Sequence, residues 1–293
     1  MTEIREEALH LEAQDGTKLA AWRWSKQVPV RAILQVAHGM GEHSTRYKSK
    51  LEALMDAGIV IYTNDHRGHG RTAPSPEQYG DFGPGGFPAL ASDMKLLTDK
   101  ARADNKTVPL FLMGHSMGSF AAQLYVVDHS SAIDGLIISG SSALDRVVTV
   151  LPSDPDAPAL DAFNGAFEPA RTPFDWLSRD ESEVDAYIAD PMCGFSVTPA
   201  SMQSMVEALL PTADEASVSR IRKDLPVYFF SGDKDPVGGP DLSFLKVLVE
   251  RYRARGLNVT SDFYAGGRHE MLNETNKVEV TANLKNWIEA HIG

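Results

Sequence analysis

Short apolar runs alternate along this chain with longer stretches in which apolar residues recur every third or fourth position. The runs at 8–13, 18–24, 31–36, 59–63, 108–113, 133–139, 225–231 and 259–264 read as strands. The stretches 47–56, 88–103, 117–128, 242–255 and 278–291 read as helices. In 88–103, Leu90, Met94, Leu96 and Leu97 keep a three-to-four spacing that buries one face. Gly256 stands just after the fourth helix, where a left-handed residue would end it. Strands alternating with helices predict an α/β fold: a mostly parallel eight-stranded sheet flanked by helices, opened by an antiparallel pair at the N-terminus. The sequence has no internal repeat and no low-complexity tract.

One segment breaks the alternation. Residues 147–223 are rich in Pro, Asp, Ala and Ser and only weakly periodic, and a plain loop of that length does not belong in a compact domain. The expectation is an inserted cap, or lid, over 147–223 that splits the core into residues 1–146 and 224–293. Residues 151–210 hold eleven acids (Asp154, Asp156, Asp161, Glu168, Asp175, Asp180, Glu181, Glu183, Asp185, Asp190, Glu207) against the bases Arg171 and Arg179. A solvated, negatively charged outer face is the plain expectation for them.

Over all 293 residues, 28 Lys and Arg face 40 Asp and Glu, for a net charge of −12. That balance argues against a nucleic-acid partner, whose phosphates need clustered cations. The single cysteine, Cys193, cannot form an internal disulfide. Residues 1–7 are acidic and lack an apolar signal region. No stretch approaches the ~18–20 apolar residues that span a bilayer. A soluble, cytoplasmic protein is expected, with at most peripheral membrane contact through the cap.

The chemistry is signalled by Gly114-His115-Ser116-Met117-Gly118, placed between the run 109–113 and the helix 117–128. A serine lifted out on a sharp strand-to-helix turn becomes an accessible nucleophile, and neighbouring backbone then leaves room only for glycine two positions to either side. The serine needs a base and the base an orienting carboxylate. Functional residues in parallel sheets gather beyond the carboxyl ends of strands. Asp235 in Gly232-Asp233-Lys234-Asp235-Pro236 and His269 in Ala265-Gly266-Gly267-Arg268-His269 both follow strand ends. Asp233 and, more distantly, Asp145 compete for the acid. His66 and His69, in Asp65-His66-Arg67-Gly68-His69-Gly70, also follow a strand, but a structural role in that turn fits them better. His291 is too close to the C-terminus to serve. For an oxyanion, the backbone N–H groups of Met117 and Met40 are the expected donors. Met40 lies in the glycine-bearing loop Val36-Ala37-His38-Gly39-Met40-Gly41-Glu42-His43.

The order Ser116, Asp235, His269 is that of α/β-hydrolases. The stretch His38-Gly39-Met40-Gly41-Glu42-His43-Ser44-Thr45-Arg46-Tyr47 resembles the corresponding loop of monoacylglycerol lipases and bacterial lysophospholipase-like hydrolases. Asp65-His66-Arg67-Gly68-His69-Gly70, the Ser116 pentapeptide and the Asp235 and His269 turns resemble that family's other motifs in order and context. The resemblance covers residues 30–140 and 225–293. It implies Ser116 as nucleophile, Asp235 as acid, His269 as base and Met40 and Met117 as oxyanion donors, acting on monoacylglycerols or other mono-acyl esters with no cofactor or metal. Family members that act at membranes present an apolar cap, whereas this one is acidic; that departure counts against long-chain, bilayer-borne substrates, and the charge count against anionic lysophospholipids and anionic membranes.

Other outcomes of the same chemistry are a lysophospholipase, a short-chain carboxylesterase, a thioesterase or an aminopeptidase-like amide hydrolase. Dehalogenases and epoxide hydrolases of this fold use a carboxylate where Ser116 stands. Three further classes remain for comparison. A dinucleotide-binding oxidoreductase would use Gly39-x-Gly41-x-x-Ser44 and Asp65, but its third glycine is replaced by Ser44. A metal-dependent hydrolase would use His38, His43, His66 and His69, which lack ligand spacing. A catalytically silent ligand-binding protein would leave the Ser-Asp-His set without purpose.

Overall fold

In the computed structural model, residues 3–149 and 161–293 are described; Asp154 and Asp156, counted among the acids above, lie outside the described residues. Eight strands form one sheet: β1 (Arg5–Glu12), β2 (Lys18–Ser25), β3 (Ala32–Ala37), β4 (Ile59–Asn64), β5 (Leu110–His115), β6 (Gly135–Ser139), β7 (Pro226–Gly232) and β8 (Asn258–Tyr264). Their spatial order is β1-β2-β4-β3-β5-β6-β7-β8. β2 pairs antiparallel with β1 and also with β4, so β2 alone runs against the rest. All other pairings are parallel.

The period of two sorts the sheet residues onto two cores. Ile33, Leu110, Leu112, Leu136 and Ile138 face one side. Leu34, Val36, Phe111, Met113 and Ile137 face the other. Both sides are covered, which is why these strands read as unbroken apolar runs.

The helices are α1 (Glu52–Asp56), α2 (Gly86–Asp104), α3 (Met117–His129), α4 (Leu144–Val147), α5 (Glu181–Ala189), α6 (Pro199–Leu209), α7 (Glu215–Arg220), α8 (Ser243–Ala254) and α9 (Lys277–Ala290). On the first side, α2 buries Phe87, Leu90, Met94 and Leu97, α3 buries Phe120 and Tyr125, and α8 buries Leu245 and Leu248. On the second, α1 buries Leu54 and Met55, and α9 buries Leu284 and Trp287. Gln35, the one polar side chain of β3, is satisfied by Met94 O at 2.8 Å and the Thr98 hydroxyl at 2.7 Å. Gly256 adopts φ +81°, as expected after α8.

The helix expected over 47–56 is shorter. Residues Ser44–Tyr47 make a 3₁₀ turn and α1 begins only at Glu52. The physical reason is tethering: Ser44 N–H and Oγ both donate to Asp65 Oδ1 (2.9 and 2.6 Å), and Tyr47 OH donates to Glu42 Oε1 (2.7 Å). Between β6 and β7 the chain carries α4 to α7 and short 3₁₀ turns. This region is joined to the sheet loops by Arg179–Glu274 (2.9 Å), Ser178 Oγ to Asn273 O (2.9 Å) and Glu270 N–H to Leu177 O (2.8 Å).

Candidate active site

Ser116 sits between β5 and α3 with φ +52° and ψ −123°, a conformation that L residues avoid. The turn is held by Ser116 N–H to Ser139 O (3.0 Å) and Ser119 N–H to Ser116 O (2.8 Å). A Cβ at Gly114 would strike the Gly118 carbonyl, and one at Gly118 would strike the carbonyl oxygens of Ala37 and His38. The glycines are required because three backbone segments meet here.

At the end of β7, Asp235 is buried. Its Oδ1 lies 2.9 Å from His269 Nδ1 and accepts Val237 N–H at 3.0 Å, while Oδ2 accepts the Ser231 hydroxyl at 3.1 Å. The two loops are laced together by Lys234 N–H to Gly267 O (2.9 Å) and Asp233 N–H to Tyr264 O (3.0 Å). The rival carboxylates are engaged elsewhere. Asp233 Oδ1 accepts Gly266 N–H at 2.8 Å, a turn-forming bond. Asp145 takes both Arg251 guanidinium nitrogens at 2.7 Å.

The His269 ring lies between His115 and Trp176, each at 4.7 Å between centroids. Trp176 in turn borders an apolar cavity whose walls include Met40, Ser116, Met117 and Val237, so the segments after β3, β5 and β7 meet there, and His269, after β8, packs on its Trp176 wall. Burial disfavours the imidazolium of His269, but the carboxylates of Asp235, Glu270 and Glu42 outweigh it and raise its pKa above the ordinary histidine value. At His115 burial and the neighbouring His269 outweigh the same three carboxylates, and its pKa falls to about 4.

His66 and His69 are buried with their rings tilted against His38, at 4.4 and 5.3 Å between centroids. Burial lowers their pKa values to about 3 and about 4, so both are neutral. His291 Nδ1 bonds Trp287 O at 2.8 Å in its own helix end. Among the described residues the cluster with ligating atoms close together is His43, Asp190 and Cys193, within 4.8 Å of one another, rather than the His38, His43, His66 and His69 set. His43 and Asp190 already pair at 2.9 Å.

Sequence reasoning missed a buried charge network beneath the site. Glu42 Oε1 accepts Gly39 N–H at 2.6 Å, Glu42 Oε2 accepts from Arg46 at 2.5 Å, and Arg46 reaches on to Glu270, next to His269. Arg46 and Glu42 stand at helical spacing inside the quoted loop, but Glu270 is distant in the chain and only folding brings it near. Trp176 was missed too, since nothing local marks it.

The family described as serine aminopeptidase, S33, matches residues 28–276. A monoacylglycerol lipase of Mycolicibacterium smegmatis is 28% identical over 282 residues, covering 94% of this chain and 95% of the relative. A monoglyceride lipase of Mus musculus is 26% identical over 298 residues, covering 97% of this chain and 90% of the relative. The crystal structure of a thermostable carboxyl esterase from Bacillus coagulans, in complex with glycerol, superposes with a TM-score of 0.88 at 27% identity, covering 98% of this chain and 99% of that one.

Proposed function

The chain belongs to the serine aminopeptidase, S33, family, and from that footing we propose that it is a serine hydrolase cleaving monoacylglycerols or closely similar mono-acyl esters. His269 takes the Ser116 proton as Ser116 attacks the acyl carbon. Asp235 holds Nδ1–H of His269 and stabilises the imidazolium that forms. Met40 and Met117 N–H groups receive the oxyanion. His269 then gives its proton to the departing glycerol oxygen, and water activated by the same imidazole releases the fatty acid.

The observation that carries this reading is the apolar cavity against Ser116. Its walls include Met40, Phe120 and Val237 from the sheet framework and Phe163, Trp176 and Met202 from the 147–223 segment. No charged residue is among its described walls. An acyl chain gains roughly 0.8 kcal/mol for each methylene buried there. An aminopeptidase would need a carboxylate to hold its substrate's ammonium, so the lining favours an ester over a peptide despite the family's description.

In this reading, 147–223 acts as a cap that selects the acyl chain, and its exposed Ile188 and Leu210 support peripheral contact with a lipid surface. No helix among the described residues is long and apolar enough to cross a membrane. A cytoplasmic enzyme working without cofactor completes the reading, supported by a single cysteine that allows no internal disulfide.

The test is fatty-acid release from a monoacylglycerol series, with p-nitrophenyl esters of matching chain length. Wild-type protein is expected to turn over and to be labelled stoichiometrically by a fluorophosphonate. Ser116→Ala should lose about 10⁴-fold or more in kcat and all labelling. Hydrolysis by Ser116→Ala at the wild-type rate overturns the reading.

A further inference from the structure

Gly39 is the residue before the Met40 N–H, and both of its peptide units are gripped by side chains. Its N–H donates to Glu42 Oε1 at 2.6 Å. Its carbonyl oxygen lies 2.8 Å from His38 Nδ1. The tautomer of His38 follows from its other nitrogen: Nε2 accepts the His66 backbone N–H at 2.9 Å, so the proton sits on Nδ1 and is donated to Gly39 O. Burial lowers the His38 pKa well below the ordinary value and keeps that ring neutral.

In a trans peptide the carbonyl and the following N–H point in opposite directions. Fixing Gly39 O therefore fixes the Met40 N–H, on the side where Met40 borders the cavity with Ser116. Left alone, a glycine-flanked peptide flips readily. Space around Gly39 is also closed, because a Cβ there would lie 2.9 Å from Glu42 Oε1 and 3.1 Å from Ser116 Cβ. Glu42 is itself immobilised by Tyr47 OH at 2.7 Å and Arg46 at 2.5 Å.

We propose that His38 and Glu42 are positioning residues that hold the Gly39–Met40 peptide in the one orientation aiming Met40 N–H at the oxyanion. The proposal rests on the ester-hydrolase reading above and deepens it. Neither side chain touches the reacting atoms. Each acts through the backbone, and the backbone conveys the effect to the transition state alone, because a ground-state carbonyl gains little from the donor.

The test uses His38→Ala, Glu42→Ala and the conservative variants His38→Asn and Glu42→Gln. Active sites are counted with a fluorophosphonate before kcat and KM are measured on p-nitrophenyl butyrate. Affinity for a trifluoromethyl ketone, whose tetrahedral adduct needs the same donors, is measured in parallel. The alanine variants are expected to lose about 10²-fold in kcat per titrated site, the scale of one oxyanion donor, with KM unchanged and ketone affinity falling in step. His38→Asn, whose amide N–H still reaches Gly39 O, should recover about tenfold of that loss. Should the alanine variants fail to fold, Glu42→Gln carries the test, with an expected loss of about three- to tenfold in both kcat and ketone affinity. A variant with wild-type kcat per site, or a kcat loss with ketone affinity intact, overturns the proposal. Failure of the wild type to titrate at all instead overturns the hydrolase reading on which it rests.

Discussion

Arg46 and Glu270 meet as two forks: two guanidinium nitrogens donate to the two carboxylate oxygens, each at 2.8 Å. Both side chains are nearly enclosed, with 12% and 7% of their surface exposed. Burial works against the Glu270 charge, yet Arg46 outweighs it and holds that carboxyl down at about 2. The pair ties the loop after β3 to the loop that carries His269.

Arg46→Gln leaves two buried carboxylates, Glu42 and Glu270, without their shared cation. The expected cost is about 3–5 kcal/mol, read as a fall in Tm of roughly 5–15 °C at pH 7 by calorimetry. The depressed pKa of Glu270 supplies stability present above its ordinary value of 4.5 and lost as pH falls towards about 2. The gap between wild type and variant should therefore narrow below pH 4.5. A variant with the wild-type Tm would show that the network adds nothing to stability.

On the proposed mechanism, the raised pKa of His269 sets the pH dependence of turnover. Only the neutral imidazole can accept the Ser116 proton, so kcat/KM should climb with pH through a midpoint above the ordinary value of 6.5. Asp235→Asn removes the nearest carboxylate; the midpoint should drop and kcat should fall by about 10³–10⁴. Asp233→Asn, which only loosens the Gly266 turn, should stay within a few-fold of wild type. Rate profiles on one soluble ester decide it, and the opposite ranking of the two variants would transfer the acid role to Asp233.

Acid should destabilise the fold well before its carboxylates titrate. His66, His69 and His115 are held neutral by burial at about 3, about 4 and about 4. In the unfolded chain each takes up a proton near pH 6.5, so between there and about pH 4 the unfolded state binds more protons and stability rises with pH. His269, with its pKa raised, acts in the opposite sense but alone. Tm is expected to fall steeply from pH 6.5 to 4, and to decline slightly as pH rises above 6.5 and His269 loses its proton; a level Tm between pH 6.5 and 4 would refute the assignment.

Charge on the substrate head group should matter modestly. Residues 151–210 hold eleven acids to two bases, but several are neutralised from outside that stretch or within it. Glu183 pairs with Lys50 and Lys277, Asp180 with Lys277 (2.9 Å) and Asp185 with Arg171 (2.6 Å). Neutral monoacyl esters should be preferred over anionic lysophospholipids of equal chain length by about two- to fivefold at low salt. The preference should fade as the screening length shrinks from ~30 Å at 0.01 M to ~8 Å at 0.15 M. Faster cleavage of the anionic substrate at low salt contradicts it.

The apolar runs of β3 to β7 became strands because a sheet covered on both faces leaves no polar alternation to blur them. β1 is the instructive exception at its edge: Arg5, Glu6 and Glu7 are exposed and extend the strand only by pairing with Ser25, Trp24 and Arg23. No apolar signal announces such residues. The turns that carry Ser116, Asp235 and His269 could be read because each is a local response to a strand end. Choosing Asp235 over Asp233 could not be settled locally, since two residues of turn decide which carboxylate meets His269 Nδ1. Glu270 and Arg46, 224 positions apart, could not be paired by any local rule. The acidity of 151–210 was visible, whereas its partners Lys50 and Lys277 stand far away in the sequence.

β6 and β7 are hydrogen-bonded neighbours, with Leu136 opposite Val227 and Ser139 opposite Phe230. Everything between them is therefore a detour that returns to its own doorstep, and lengthening it costs only the slowly growing entropy of a longer loop. Such a layout lets the excursion be exchanged wholesale, as one changes a tool head on a fixed handle. Grafting a foreign excursion between Ser139 and Pro226 should alter which molecules enter while the sheet beneath stays in register.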